Sequence, residues 1–352
     1  MKNLLVIFGG CSSEYEVSLR SSASVLRNIN REKYNVLTLG ITKDGKWLYY
    51  DGCIDDIENN SWFTGENTCP AVISPDRSDK ALLVMRNDSV EKITIDVVFP
   101  VLHGKNGEDG TIQGLFDLAG ISYVGCGLLA SAMCMDKAVT NTLADAAGIP
   151  GAKWSAFTKS EYESGNIDLD PIIEKLGFPI FVKPANAGSS VGISKAHNID
   201  ELKVALDVAF RNDYKAVLEE TLVGREIECA VMGNNDPVAS CIGEILPTAE
   251  FYDYEAKYID NSTGLAIPAD LPEDVSEKVR KAAIHAYKTM GCEGCSRVDF
   301  FLADDGTCYL NEINTLPGFT SISMFPKLFG QVGIEYSDLI DKLIEYAEER
   351  SR

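Results

Sequence analysis

The sequence predicts an α/β and α+β protein of more than one domain, opening with a doubly wound, mostly parallel sheet. Three observations carry this. Strand and helix signals alternate over residues 1 to about 125, the pattern of a sheet with crossover helices. A helical run closes at Gly148 and Pro150, ahead of a smaller α+β unit. At 352 residues the chain exceeds what one hydrophobic core usually supports, so two or three domains are expected.

In chain order, "LLVIFGG" is a short buried strand ending in glycines, after which Leu19, Ala23, Leu26 and Ile29 fall on one helical face. "NVLTLGIT" and "WLYY" read as strands joined by the turn residues Asp44 and Gly45, and "ITIDVVFPVL" is a strand leading into "HGKNGEDG". The stretch from about 51 to 92 is polar and mixed and predicts no particular element. "GLLASAMCMDKAVTNTLADAAGIP" reads as one helix. Between about 151 and 225 come the strand "FPIFVKP", a glycine loop, the helix "ELKVALDVAF" and the strand "AVLEE". From about 226 onward come strands, a polar and aromatic loop over 247–266, and a helix with Val275, Val279, Ala282, Ala286 and Met290 on one stripe. A hairpin and a C-terminal helix follow.

Composition narrows the function. The formal charge of −21, from 32 Lys plus Arg against 53 Asp plus Glu, repels a phosphate backbone, so nucleic acid is not an expected partner. A bound nucleotide remains compatible, because local lysines and a divalent cation can reverse the field inside a cleft. The start "MKNLLVIFGG" has five apolar residues before two glycines, too few for a signal-peptide core or a membrane span, which predicts a cytoplasmic protein without membrane association. The ten cysteines form no framework and are expected as reduced, mostly buried thiols. Cys292 and Cys295 make a CxxC with no second pair to complete a zinc site.

The hairpin "SRVDFFLADDGTCYLNEIN" gives the sharpest deduction. Asp305-Gly306 is a preferred pair for a two-residue loop, which sets Asp304 opposite Thr307. Asp299 then faces Glu312, and Arg297 faces Asn314. Alternation puts these four on one face with Phe301 and Leu310, while Val298, Phe300 and Leu302 point the other way. Opposed Cβ atoms lie ~4.5 to 5.5 Å apart, so the two carboxylates repel unless something positive sits between them. Two carboxylates and an amide oxygen suit Mg²⁺, which borrows its other ligands from phosphates and water. A solvated face neutralised by Arg297 is the alternative.

"FVKPANAGSSVG" ends a strand with Lys183 and continues into Gly188, Ser189, Ser190 and Gly192. Glycines let backbone N–H groups close on phosphate oxygens, hydroxyls add donors and the lysine adds charge. It is neither GxxxxGKS nor GxGxxG, and a glycine-rich turn is the alternative. "FGGCSSEYEVS" is a glycine turn after the first strand without dinucleotide spacing, which argues against a dehydrogenase. His103 stands in a loop after a sheet strand, where open α/β sheets bind ligands. The three histidines are too dispersed for a metal cluster.

The segments "GGCSSEYEVS", "HGKNGEDG", "MDK" (135–137), "VKPANAGSSVG", "FYDYEAKY" (251–258), "SRVDFF" and "NEINTLPGFTS" resemble, in order and spacing, those of the D-alanine:D-alanine ligases of the ATP-grasp superfamily, over nearly the whole chain. The resemblance implies an ATP-grasp fold in three parts. These are an N-terminal Rossmann-like domain (1–125), linking helices and a central domain (126–225), and a C-terminal domain (226–352) carrying the metal site and a lid loop. It implies ATP between the last two, held by Lys137, Lys183, Ser189, Ser190, Glu219 and Glu226 with apolar contact from Phe251 and Phe301, and "VLEE" offering strand-edge backbone groups to the adenine. Mg²⁺, two ions with Mn²⁺ as a substitute, is implied on Asp299, Glu312 and Asn314.

The implied reaction forms an acyl phosphate on one D-alanine, which the second amine attacks. Arg297 and the backbone N–H of Gly318 are implied at the oxyanion. Glu14 is implied at the first substrate's ammonium, with Ser189 and Tyr258 as its partners, His103 beside that substrate, and Lys257 and Ser323 at the second substrate's carboxylate. Tyr258 and an apolar Met324 favour D-alanine as second substrate over D-lactate and D-serine, and the product serves peptidoglycan precursor synthesis. The wording of the N-terminal segments nevertheless resembles the D-serine type of vancomycin-resistance ligase, the main alternative, and Ile322 stands where the family usually has histidine. Another ATP-grasp carboxylate–amine ligase is a lesser alternative, and a non-catalytic binding protein is expected to lose Arg297 or a metal ligand. A homodimer is also implied.

Overall fold

A computed structural model describes residues 1–87, 89–246 and 264–350. The described residues form three sheets. The first has eight strands: β1 (Lys2–Gly9), β2 (Tyr34–Ile41), β3 (Trp47–Tyr50), β4 (Thr68–Ile73), β5 (Ala81–Arg86), β6 (Ser89–Thr94), β7 (Val97–Val101) and β8 (Ser122–Tyr123), in the order β6-β5-β4-β3-β2-β1-β7-β8. Its β2-β1-β7-β8 half is parallel, which fits the near-continuous apolar run of β1, buried from Leu4 to Phe8. The region the sequence left without elements, 51 to 92, extends the sheet as antiparallel strands. The sheet is therefore mixed rather than mostly parallel.

Helix α1 (Tyr15–Asn28) covers the sheet through Leu19, Ala23 and Leu26. The segment expected as one helix is two: α4 (Leu128–Met135) and α5 (Lys137–Ala146) break at Asp136, whose backbone is extended. Its carboxylate accepts from the Ala138 and Val139 N–H groups, an N-cap that starts a new helix. The same carboxylate pairs with Lys215 at 2.5 Å.

The second sheet, antiparallel, has the order β11-β10-β12-β9, with β9 (Trp154–Thr158), β10 (Ile180–Pro184), β11 (Ser194–Ala196) and β12 (Lys215–Glu220). Helix α8 (Ile199–Asn212) packs on it through Leu202, Ala205, Leu206 and Ala209. The third sheet, also antiparallel, has the order β15-β14-β13-β16-β17, with β13 (Arg225–Met232), β14 (Val238–Leu246), β15 (Gly264–Ala266), β16 (Cys295–Leu302) and β17 (Cys308–Asn314). Helix α9 (Glu273–Thr289) covers one face with Val279, Ala283, Ala286 and Tyr287, a stripe one residue displaced from the expected Ala282. Helices α10 (Met324–Gln331) and α11 (Tyr336–Glu349) share a core with the first sheet, where Phe325, Leu328, Leu339 and Ile340 meet Leu4, Val6 and Phe99. The chain's two ends are thus packed as one body, and the remaining helices α2 (Ile54–Glu58), α3 (Thr111–Ala119), α6 (Lys159–Glu163) and α7 (Asp170–Leu176) are peripheral to the site.

Candidate active site

A cavity of about 550 Å³ lies between the second and third sheets. On β10 and β12, Phe181 pairs with Glu219 and Lys183 with Val217, which places Lys183 and Glu219 diagonally on one face. Their Nζ and Oε2 atoms are 2.6 Å apart. Asn141, one turn beyond Lys137 on α5, donates to Glu219 Oε1 at 3.1 Å, and Lys137 Nζ donates to the Ala187 carbonyl at 2.8 Å. Burial works to raise the Glu219 carboxyl, but the charge and hydrogen bond of Lys183, the Asn141 amide and the Lys137 charge outweigh it and hold it below its ordinary value. Lys137, Lys183 and the ionised Glu219 therefore face the cavity from this side, with Lys195 and Glu220 also on its wall.

Strand β12 is an inner strand, paired with β10 and β9 on its two edges. The "VLEE" backbone is therefore paired on both edges rather than open, and Glu219 and Glu220 line the cavity together with the run leaving the strand, Thr221 to Gly224. Ser189 and Ser190 in the glycine loop have φ of +48° and +60°, a left-handed backbone that non-glycine residues adopt at a cost of about 1 kcal/mol or more. From the other sheet, Glu226 and Phe301 face each other across β13 and β16 and line the cavity together with Glu312.

On the hairpin of β16 and β17, Arg297 faces Asn314 and Asp299 faces Glu312. The expected pairs are present, but the path to them differs in two ways. The turn runs through Ala303 to Thr307, so Leu302 rather than Ala303 faces Cys308, and a bulge after Leu310 restores the register before Glu312. One consequence is that Leu310 pairs with Phe300 and packs in its core, not on the Asp299 face. Arg297 Nε and Nη2 donate to Asp299 Oδ1 and Oδ2 at 2.8 and 2.7 Å, Asn314 Nδ2 donates to Asp299 Oδ2 at 2.9 Å, and Glu228 Oε2 lies 2.9 Å from Arg297 Nε. Burial works to lower the Arg297 guanidinium, and the charges of Asp299, Glu228 and Glu312 raise it well above its ordinary value. Among the described residues no group of three or more His, Cys, Asp or Glu is arranged to hold a metal; beside Glu228, which lies against Arg297, this face carries the Asp299 and Glu312 carboxylates and the Asn314 amide.

A second focus joins the first and second sheets. Ser189 Oγ donates to Glu14 Oε1, and Glu14 is buried. A Cβ on Gly188 would lie 2.7 Å from Glu14 Oε2, and one on Gly104 would collide with the same oxygen, so glycines on both sides admit the carboxylate. His103 Nε2 is 3.0 Å from Ser21 Oγ and its Nδ1 is 3.7 Å from Glu108 Oε1. Burial works to lower this imidazole, while Glu108, Glu14 and the Leu316 carbonyl raise it above its ordinary value.

The 315–323 loop is anchored between the chain's ends. Phe319 packs on Phe99 and Phe325 with ring centroids 5.6 and 5.5 Å apart, its carbonyl accepts from Tyr336 Oη at 2.6 Å, and its N–H donates to Ser21 Oγ at 3.4 Å. Ser323 Oγ accepts from the Thr320 N–H at 3.0 Å, and a Cβ on Gly318 would lie 2.8 Å from it. Met324 is turned into the core near Gly243, away from the large cavity, and Ile322 is exposed. Phe251, Lys257 and Tyr258 lie outside the described residues. Sequence reasoning missed Glu228, Asn141 and Glu108. Signals existed for two: Asn141 is one helical turn from Lys137, and Glu228 is two strand positions from Glu226.

Family profiles described as "D-ala D-ala ligase N-terminus" and "D-ala D-ala ligase C-terminus" match residues 3–126 and 143–345. The chain is 53% identical to a D-alanine–D-alanine ligase of Acetivibrio thermocellus, covering 99% of this chain and 96% of that one. It is 51% identical to the same-named protein of Caldicellulosiruptor bescii, covering 99% and 95%. Among solved structures, the VanG D-Ala:D-Ser ligase from Enterococcus faecalis superposes with a TM-score of 0.91 at 43% identity, covering 98% of this chain and 99% of that chain.

Proposed function

This chain belongs to the D-alanine–D-alanine ligase family, and on that footing we propose how it joins two D-alanines with ATP for cell-wall synthesis. The observation that carries the proposal is the cavity with Lys137, Lys183 and Glu219 on one wall and Glu226, Phe301 and Glu312 on the other. ATP enters there. Lys137 and Lys183 take the phosphates, Ser189 and Ser190 add loop donors, Glu219 and Glu226 bind the nucleoside, and Phe301, with Phe251, contacts the base.

Asp299, Glu312 and Asn314 would hold Mg²⁺. Two carboxylates and an amide oxygen are hard ligands that leave positions for phosphate oxygens, which agrees with a face that is no closed protein cage. The cation, as two Mg²⁺ or with Mn²⁺ in its place, supplies charge against the phosphate oxygens.

Glu14 receives the first D-alanine's ammonium, with Ser189 and Tyr258 locking the loop above it and His103 alongside. That substrate's carboxylate attacks the γ-phosphate, giving an acyl phosphate and ADP. The second amine attacks the acyl carbon, and the oxyanion that forms is held by Arg297 and the Gly318 N–H before phosphate leaves. Lys257 and Ser323 hold the second carboxylate, while Met324, packed in the core against Gly243, backs Ser323 with apolar bulk rather than facing the cavity.

The division of the strands into three sheets supports domain divisions near 125 and 225. ATP as substrate supports a cytoplasmic location, and the family resemblance supports a homodimer. D-Alanyl-D-serine is the second reading, favoured by the likeness to the Enterococcus faecalis D-Ala:D-Ser ligase. ADP formation that requires D-alanine, with the product identified by mass, tests the proposal; ADP formation indifferent to D-amino acids would refute it.

A further inference from the structure

We propose that Glu228 is a positioning residue for the reaction, acting through Arg297. The inference rests on the reading of Arg297 as the oxyanion holder. Strand pairing sets Glu228 directly opposite Asp299 and Ala230 directly opposite Arg297. With only a methyl group across from it, the Arg297 side chain lies along the sheet face toward both carboxylates. Asp299 takes the Nε and Nη2 donors at 2.8 and 2.7 Å, and Glu228 Oε2 stands 2.9 Å from Nε. Asp299 therefore occupies the Nε–Nη2 edge of the planar fork, with Glu228 Oε2 against Nε as a charge contact, which leaves Nη1 directed away from Asp299 and toward whatever reacts beyond the strand.

Asp299 is asked to serve twice, as a ligand for the divalent cation and as an anchor of the guanidinium. An oxygen shared with a cation is a weaker acceptor for an N–H donor. Glu228 is under no such demand: it is 4% exposed, it sits one strand further from Glu312 and Asn314, and its charge falls on the guanidinium edge. It keeps Arg297 in one orientation whichever way Asp299 is used. A planar donor needs this, because a guanidinium rotated by a few tens of degrees no longer aims at the developing charge.

The test is a double-mutant cycle. Glu228→Gln keeps the size and removes the charge; it is expected to lower kcat for dipeptide synthesis about 10- to 100-fold, the range seen for outer-shell partners, with KM for ATP unchanged. ADP formed per dipeptide should rise, because the acyl phosphate still forms and is lost to water. Arg297→Ala combined with Glu228→Gln should be no slower than Arg297→Ala alone. Glu228→Asp should recover part of the rate, and all variants are compared by melting temperature to separate folding from turnover. Multiplicative losses in the double variant, or Glu228→Gln at wild-type kcat, would overturn the role of Glu228. Normal synthesis by Arg297→Ala would instead overturn the reading of Arg297 on which the inference rests.

Discussion

At the scale of single residues, Lys183 and Glu219 show how this cleft holds charge without a ligand. Glu219 is buried and yet ionised, because Lys183, Asn141 and Lys137 converge on it. Its folded pKa is depressed below the ordinary 4.5, so the pairing stabilises the fold above that value and is lost as pH falls through the depressed folded value. Lys183→Met removes the main offset to burial, leaving an ionised carboxylate with too little support at neutral pH. Its melting temperature should drop at pH 7, by an amount equivalent to about 3 kcal/mol, and the gap to wild type should narrow toward pH 4. Parallel melting curves for the two proteins across that range would show that Lys183 does not set the Glu219 charge. KM for ATP should rise in the same variant, since phosphate loses a cation.

At the scale of elements, local chemistry explains what the sequence disclosed and what it hid. Alternation on β16 and β17 is a period-two property of nearby residues, so the face shared by Arg297, Asp299, Glu312 and Asn314 was legible. The register was reached by two compensating departures, a longer turn and a bulge, neither of which a residue pattern dictates. For Glu228 the local pattern supplied only its face, two strand positions from Glu226; its place beside Arg297 depends on β13 pairing with β16, a contact between strands about seventy residues apart. The strands between 51 and 92 were hidden for a related reason: with one face exposed and short runs, they take their order from the sheet they extend. Asp136 was a missed local signal, an acidic N-cap inside an apolar run. Asp136→Ala should destabilise the protein by about 2 kcal/mol, combining a lost cap with an unpaired Lys215. Asp136→Asn, which keeps a capping oxygen, should lose about half of that in urea unfolding. Equal losses would mean the ion pair alone matters.

For the whole molecule, function depends on surfaces that no single sheet owns. The nucleotide cavity lies between the second and third sheets. The Glu14 carboxylate sits against Gly104 from the first sheet and Gly188 from the second. The 315–323 loop is fixed where the C-terminal helices share a core with the N-terminal sheet, so Gly318 and Ser323 are positioned by both ends of the chain. The ordering of motifs was readable in the sequence; their convergence is a property of tertiary packing. The most direct test of the central claim is a competition: purified protein with ATP, Mg²⁺, D-alanine and an equimolar amount of D-serine, with products resolved by mass. A predominantly D-alanyl-D-alanine product with stoichiometric ADP is predicted. A predominantly D-alanyl-D-serine product, or ATP turnover without any dipeptide, would contradict it.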